Sequence, residues 1–394
     1  MFRTASHIPL DTFTTITRTF AATNLVRGTL AGTIFAVTAA TIACSSSTKD
    51  ASSANVQAAT PADSAESIIN GNADAPSTVA STETAPSASG SNSPIQWHLT
   101  DADRARTPNE LGRIPIVEYH LIGDTDSRYG RNRDRFRRDL QLLYDRGYRP
   151  VTISQILDRK IDLPKGLSPV VVVFDDASPG QFKYIEKEDG TLEIDPNSGV
   201  GILLDFNKKH PDWSNSAVFC MLPGAAAGRS FFGDKGIEGQ KTEWRFKKVK
   251  FLADRGFELC NHTLWHANLS KYPDSVVQEQ IARGNLAIDS AVPGYKVRTF
   301  ALPLGVWPKN RELAKRGAWT DPKTGKTVRY SYDAVLEVAG GPTRSPYDPQ
   351  FNPHSMTRIE VFGDELEKVL DRLDRPGANG RYVSDGDPNT VAKP

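Results

Sequence analysis

The sequence predicts an α/β fold: a distorted or incomplete (β/α) barrel of about seven parallel strands, preceded by a disordered N-terminal tether. Three observations carry that prediction. Between about residues 105 and 375, short apolar runs alternate with longer amphipathic ones, the pattern of repeated β-α units with parallel strands. The alternation recurs about seven times, which suits a sheet closed or nearly closed on itself. Ahead of it, residues 45–94 are dominated by Ser, Ala, Thr, Pro, Asp and Asn with no aromatic residue, so they cannot bury enough apolar surface to become ordered.

In chain order, residues 114–119 read as the first strand, and Phe136, Leu140 and Leu143 mark one helical face that ends near Gly147. Residues 170–174 are four valines and a phenylalanine behind Pro169, a run that suits a strand covered on both faces. Val200, Leu203 and Phe206 mark another helix, followed by a strand through 217–222. A helix around 244–253 closes at Gly256, and 257–260 is the next strand. Residues 299–302, 334–338 and 358–361 complete the strand set. Two stretches break the rhythm: 181–198, with Lys-Glu-Asp-Gly and Asp-Pro-Asn-Ser turn signals, and 340–354, with four prolines. Both read as long loops or small hairpins of the kind that shape a site. One folded domain over 105–375 accounts for the pattern, with 376–394 expected as a flexible tail.

Forty-eight basic residues against 47 acidic give a formal charge of +1, so no global field recruits the chain to nucleic acid. Arg3, Arg18 and Arg27 precede an apolar stretch from 30 to 43, as in an export signal, and that run is too short for a membrane span. Thr-Ile-Ala-Cys at 41–44 resembles a bacterial lipobox with Thr41 in place of Leu. The expectation is a signal over 1–43, lipidation of Cys44 as the mature N-terminus, and a linker over 44–96. That places an exported protein in the bacterial cell envelope, held to the membrane only by lipid, with a tether reaching roughly 40 Å. A simple secretory signal and an uncleaved anchor are the other readings. Cys220 and Cys260 sit in apolar strand-like segments and read as buried thiols, although an oxidising envelope permits a disulfide.

Three motifs carry chemistry, each where a strand ends. Asp175 and Asp176 close the valine-rich run; adjacent carboxylates there repel unless a cation or a shared proton relieves them. His262 and His266, four apart in Asn-His-Thr-Leu-Trp-His, are expected on one side of a helical turn, where they can grip one ion. Pro303 and Gly305 bracket Leu304, a geometry that can turn the Leu304 N–H towards a carbonyl oxygen. Strand C-termini of a parallel barrel open on one face, so these distant motifs converge.

Together with Pro-Ile-Val-Glu-Tyr-His at 115–120, the order Phe-Asp-Asp (174–176), His-Thr-Leu-Trp-His (262–266) and Leu-Pro-Leu-Gly (302–305) resembles the polysaccharide deacetylases of the NodB-homology, or carbohydrate esterase 4, family. The style is closest to its poly-N-acetylglucosamine deacetylase branch, and the resemblance covers roughly residues 110–365. It implies a divalent metal ion on Asp176, His262 and His266, zinc first with cobalt or nickel as alternatives. It also implies Asp175 as general base and the Leu304 N–H, presented beside Pro303, as oxyanion donor. Two departures stand out. The third motif carries Phe300 and Ala301 where many relatives have an arginine that orients the base, and the late Leu-x-His motif with its general acid is missing. His354, the only histidine after 266, and His120 at the end of the first strand are the candidates for that acid.

The expected reaction is hydrolysis of N-acetyl (or O-acetyl) groups on a cell-surface polysaccharide, with metal-activated water as nucleophile and a monomeric catalytic domain. The rival reading is a non-catalytic, surface-tethered carbohydrate-binding protein on a degenerate barrel, which intact Asp175 argues against.

Overall fold

The computed structural model describes residues 95–224, 231–375, 377 and 379–393. The expected signal segment, Cys44 and the linker as far as residue 94 lie outside the described residues. Seven strands form the centre: β1 Ile116–Tyr119, β2 Ser168–Phe174, β3 Val218–Met221, β4 Glu258–Asn261, β5 Thr299–Ala301, β6 Ala334–Gly340 and β7 Met356–Glu360. Each pairs in parallel with the next in chain order, and β7 pairs back onto β1. Closure is therefore complete. The distortion is local, a register shift between Leu336 and Gly340 where β6 meets β7. A short extra strand, Tyr148–Pro150, lies beside the first half of β2 before β3 takes over that edge.

The two-residue period of each strand sorts side chains into two cores. Val171, Val173, Val218, Cys220, Cys260, Ala301, Leu336 and Met356 share the cluster that fills the barrel. Their alternates Val117, Val172, Phe174, Phe219, Leu259, Phe300 and Val335 pack outward in the larger cluster with the helices. Those helices are α1 Arg133–Asp145, α2 Gly199–Lys209, α3 Arg245–Asp254, α4 Asp274–Ala291 and α5 Glu365–Leu373. In α1 the predicted face of Phe136, Leu140 and Leu143 is fully buried, and Asn132 caps the first turn by accepting from the N–H groups of Asp134 and Arg135. Burying each such side chain contributes about 1.5–3 kcal/mol. The 181–198 interruption is an antiparallel hairpin, Tyr184–Glu186 with Leu192–Ile194.

Two expectations are corrected. Cys220 and Cys260 are joined in a disulfide, not left as free thiols. They are register partners on β3 and β4 and point into the barrel, so the same burial that suggested inert thiols places the sulfurs together. The expected C-terminal tail is docked over residues 379–392, where Ala392 exchanges backbone and side-chain bonds with Glu110. Tyr382 is buried among the barrel-filling residues, its hydroxyl donating to Glu110 at 2.9 Å, while the Val383 N–H donates to Asn109 O at 2.9 Å. The N-terminal mouth of the barrel needs a plug, and this segment supplies it together with Ile153, Ile156 and Leu163.

Candidate active site

Asp175 and Asp176 leave β2, His262 leaves β4, and Pro303 and Leu304 leave β5, all on the C-terminal rim. The turn after β2 is strained: Asp176 and Ala177 have φ of 75° and 45°, a region costing non-glycine residues about 1–3 kcal/mol each. Neighbours hold it there. The Phe232 N–H donates to Ala177 O at 2.7 Å, and the buried Gln181 amide donates to Asp175 O at 2.6 Å. Gln181 also donates to His120 O, so one side chain ties the ends of β1 and β2 together.

The strained turn sets Asp176 Oδ1 3.5 Å from His262 Nε2 and 3.5 Å from His266 Nε2. The histidine pair converges as predicted but not by helix geometry. Residues 262–268 form an irregular loop with Thr263 and His266 at φ of 68° and 62°. Local polar bonds shape it: Asn261 Oδ1 accepts from the Thr263 N–H at 2.8 Å, and Thr263 Oγ1 accepts from the His266 N–H at 3.1 Å. Asn261 is fully buried and its amide donates to Ile281 O at 2.9 Å, which locks the loop to α4.

The donor set fits a divalent ion. His262 Nδ1 lies 3.0 Å from Ala301 O, which places one ring proton on that nitrogen and aims buried Nε2 at Asp176 Oδ1, 3.5 Å away, where an ion would take the place of the second ring proton. Burial, then the neighbouring His262 charge, pushes His266 down to about 4, so it is neutral and ready to ligate. Burial would raise Asp176, but the His262 hydrogen bond and the histidine charges hold it well below the usual carboxylate range. Two imidazoles and one carboxylate, with their ligand atoms all within 4.8 Å of one another, match the sets that bind zinc with coordination positions to spare.

Behind this set stands a residue the sequence reading missed. Arg358, fully buried on β7, donates from Nη1 to both carboxylate oxygens of Asp175 at 2.9 Å. Its Nε donates to Glu337 O at 2.6 Å and lies 3.1 Å from Glu118 Oε2. The arginine absent from the third motif is thus supplied from another strand. Its signal was a lone arginine at an inward position, two residues after Met356 on β7. Two carboxylates share its charge. Burial alone would raise Asp175, but Arg358, then His262 and His120, more than offset this and hold it below the ordinary aspartate value. Glu118 goes the other way, pushed well above the ordinary value by burial, which Arg358 only partly opposes.

His120 follows β1 into the same site, its Nε2 3.1 Å from Glu118 Oε1 and its ring edge-on to Tyr129 at 5.5 Å. Burial lowers its pKa, against the pull of Asp175 and Asp176. His354 is not brought there. It precedes β7, and its Nε2 meets Tyr332 O at 3.2 Å at the N-terminal end of β6, opposite the rim. Leu304 sits on the rim at φ 57° with its side chain 53% exposed, in the turn directly after the Ala301 carbonyl that orients His262. Gly305 permits this turn: its φ is 63°, and a Cβ there would collide with the Val338 side chain.

Residues 217–318 match the family model for polysaccharide deacetylase, a span that holds His262, His266, Pro303 and Leu304. A chitooligosaccharide deacetylase of Sinorhizobium fredii is 28% identical over 119 residues, which is 29% of this chain and 54% of that protein. The chain thus spans about half the length of the curated relative it matches. Among solved structures, the deacetylase PplD of Streptococcus pyogenes, in complex with acetate, is similar at 17% identity and a TM-score of 0.47, over 68% of this chain and 100% of that one. IcaB from Ammonifex degensii is similar at 19% identity and a TM-score of 0.44, over 67% and 97%.

Proposed function

With a polysaccharide deacetylase segment built into a closed barrel, we propose that this protein is a metal-dependent hydrolase that removes acetyl groups from an acetylated polysaccharide of the cell surface. One observation carries the reading. Asp175 is buried and held ionised by Arg358, directly beside the Asp176, His262 and His266 donor set. A divalent ion held by those three residues, zinc first with cobalt or nickel as alternatives, supplies a Lewis acid that activates water and polarises an acyl oxygen.

The chain's own residues do the rest. Asp175 takes the proton of the attacking water, and its two bonds to Arg358 fix the carboxylate plane for that transfer. The Leu304 N–H, carried on the rim by the Pro303–Gly305 turn, donates to the oxyanion. His120, oriented by Glu118 at 3.1 Å, receives the proton taken by Asp175 and passes it to the departing sugar nitrogen. A binding-only barrel gives no reason to hold a second ionised carboxylate against the donor set, which disfavours the non-catalytic alternative.

The same reading takes the protein to be exported, lipidated on Cys44 and membrane-held only by that lipid, with a monomeric catalytic domain. A disulfide inside the barrel fits an oxidising compartment. The test is acetate release from chitin oligomers, poly-N-acetylglucosamine, peptidoglycan and acetylxylan, with and without chelator. Chelator-sensitive release from at least one is expected, and no release from any would overturn the proposal.

A further inference from the structure

Among the buried cations outside the chemistry described so far, Lys248 is the one whose ammonium is held by neutral acceptors in the described residues. Lys248 on α3 is fully buried, and its Nζ donates to two neutral acceptors, Phe232 O at 2.7 Å and Gln240 Oε1 at 2.8 Å. Burying an ammonium against neutral partners is costly, and burial pulls its pKa down to about 7. The ammonium also faces the rings of Phe182 and Tyr184, at 6.0 and 5.9 Å from their centroids, and the two hydrogen bonds hold it between these rings and the Phe232 backbone.

Both bonds lead to the site. Phe232 is fully buried at φ 68°, and its N–H donates to the carbonyl of Ala177 at 2.7 Å. Ala177 is the second left-handed residue of the turn that aims Asp176. A line of bonded groups thus runs from Lys248 through the two peptide groups flanking the Phe232 Cα to the residue after Asp176. The second bond anchors the line. Gln240 Oε1 also accepts from the Tyr184 N–H at 2.9 Å, and Gln240 Nε2 donates to Tyr184 O at 3.1 Å. Gln240 thus joins residues 231–240 to the hairpin after β2, and Lys248 ties that junction to the Phe232 carbonyl.

We propose that Lys248 is a positioning residue for Asp176, holding the strained 175–177 turn in its ligating shape through the backbone of Phe232. The proposal rests on Asp176, His262 and His266 forming an ion site. Without Lys248 the Phe232 carbonyl loses its buried donor, the Phe232 N–H drifts from Ala177, and the turn relaxes away from the histidines.

The experiment replaces Lys248→Met, which keeps the apolar stem, and reads zinc affinity by competition with a chromophoric chelator and amide exchange at Phe232. Zinc affinity should fall about tenfold, the low end for groups beyond the direct ligands. Phe232 exchange should quicken while circular dichroism of the zinc-free protein stays unchanged. A purely structural role would lower the melting temperature and leave the zinc affinity of the folded protein alone. If Lys248→Met does not fold, Lys248→Gln is judged by the same two readouts. Variant zinc affinity within twofold of a zinc-binding wild type overturns this proposal alone, whereas a wild type that binds no zinc overturns the ion-site reading and the proposal with it.

Discussion

Replacing Arg358→Met perturbs the buried charge on which both the fold and the chemistry depend. The guanidinium is fully buried, bonds both oxygens of Asp175 at 2.9 Å, and lies 3.1 Å from Glu118. Methionine fills much of the volume but leaves two buried carboxyls without their counter-charge. Breaking a buried pair from one side costs about 3–5 kcal/mol. For a domain of this size that is a fall in melting temperature of roughly 6–20 °C. The pH dependence fixes the cause. In the wild type Asp175 has a depressed pKa, so its contribution is present above the ordinary aspartate value and is lost as pH falls through the folded value. In the variant the shift reverses sign, because burial, which raises the pKa, is no longer opposed by Arg358. The stability gap between the two proteins should therefore be widest at neutral pH and narrow towards pH ~4, where the carboxyls protonate. Activity at neutral pH should fall by about 10²–10⁴, the usual worth of a general base. Differential scanning fluorimetry from pH 4 to 8, with acetate release at pH 7, measures both effects. A variant within 2 °C and threefold of wild type, or a gap that widens on acidification, would refute the reasoning.

Other outcomes follow from the same geometry. His120→Gln should lower kcat by about 10²-fold with zinc still bound, whereas His354→Gln, changed at the opposite end of the barrel, should leave kcat/KM within twofold; steady-state kinetics with metal analysis compares them. Gln181→Leu removes the donor shared by the carbonyls of His120 and Asp175 and should cost about 1–3 kcal/mol in urea unfolding, with kcat reduced more than KM is raised. Changing Cys220 and Cys260 together to Ala opens a cross-link spanning 40 residues and should cost about 2–4 kcal/mol, measured by the same unfolding.

How much of this was legible in the sequence depends on how local each cause is. All seven barrel strands were, because a parallel strand covered on both faces leaves an unbroken apolar run such as Val170 to Phe174. Asp176, His262 and His266 were legible for a related reason, since strand ends on one rim converge whatever lies between them. The geometry of the pair was not: a helical turn was the economical reading of i,i+4 spacing, yet Asn261 and Thr263 side chains bend the backbone out of helix. Arg358 was hidden because its partner Asp175 lies 183 residues away, and an arginine in a short strand ordinarily faces solvent. The disulfide depends on the register of β3 against β4, which no single segment specifies. Tyr382 plugs the barrel from a polar stretch whose periodicity gives no sign of burial. Of the two histidines weighed for the acid, His120 is carried by β1 into the site, whereas His354, singled out by elimination, lies at the opposite end of the barrel.

The central claim is that Asp175 acts as a base beside an ion held by Asp176, His262 and His266, and one paired measurement tests it. Acetate release from N-acetylglucosamine oligomers and bound zinc are determined on the same preparations of wild type and Asp175→Asn. The account predicts zinc in both proteins, with release lowered at least about 10²-fold in the variant. Zinc retained together with undiminished acetate release from Asp175→Asn would contradict it.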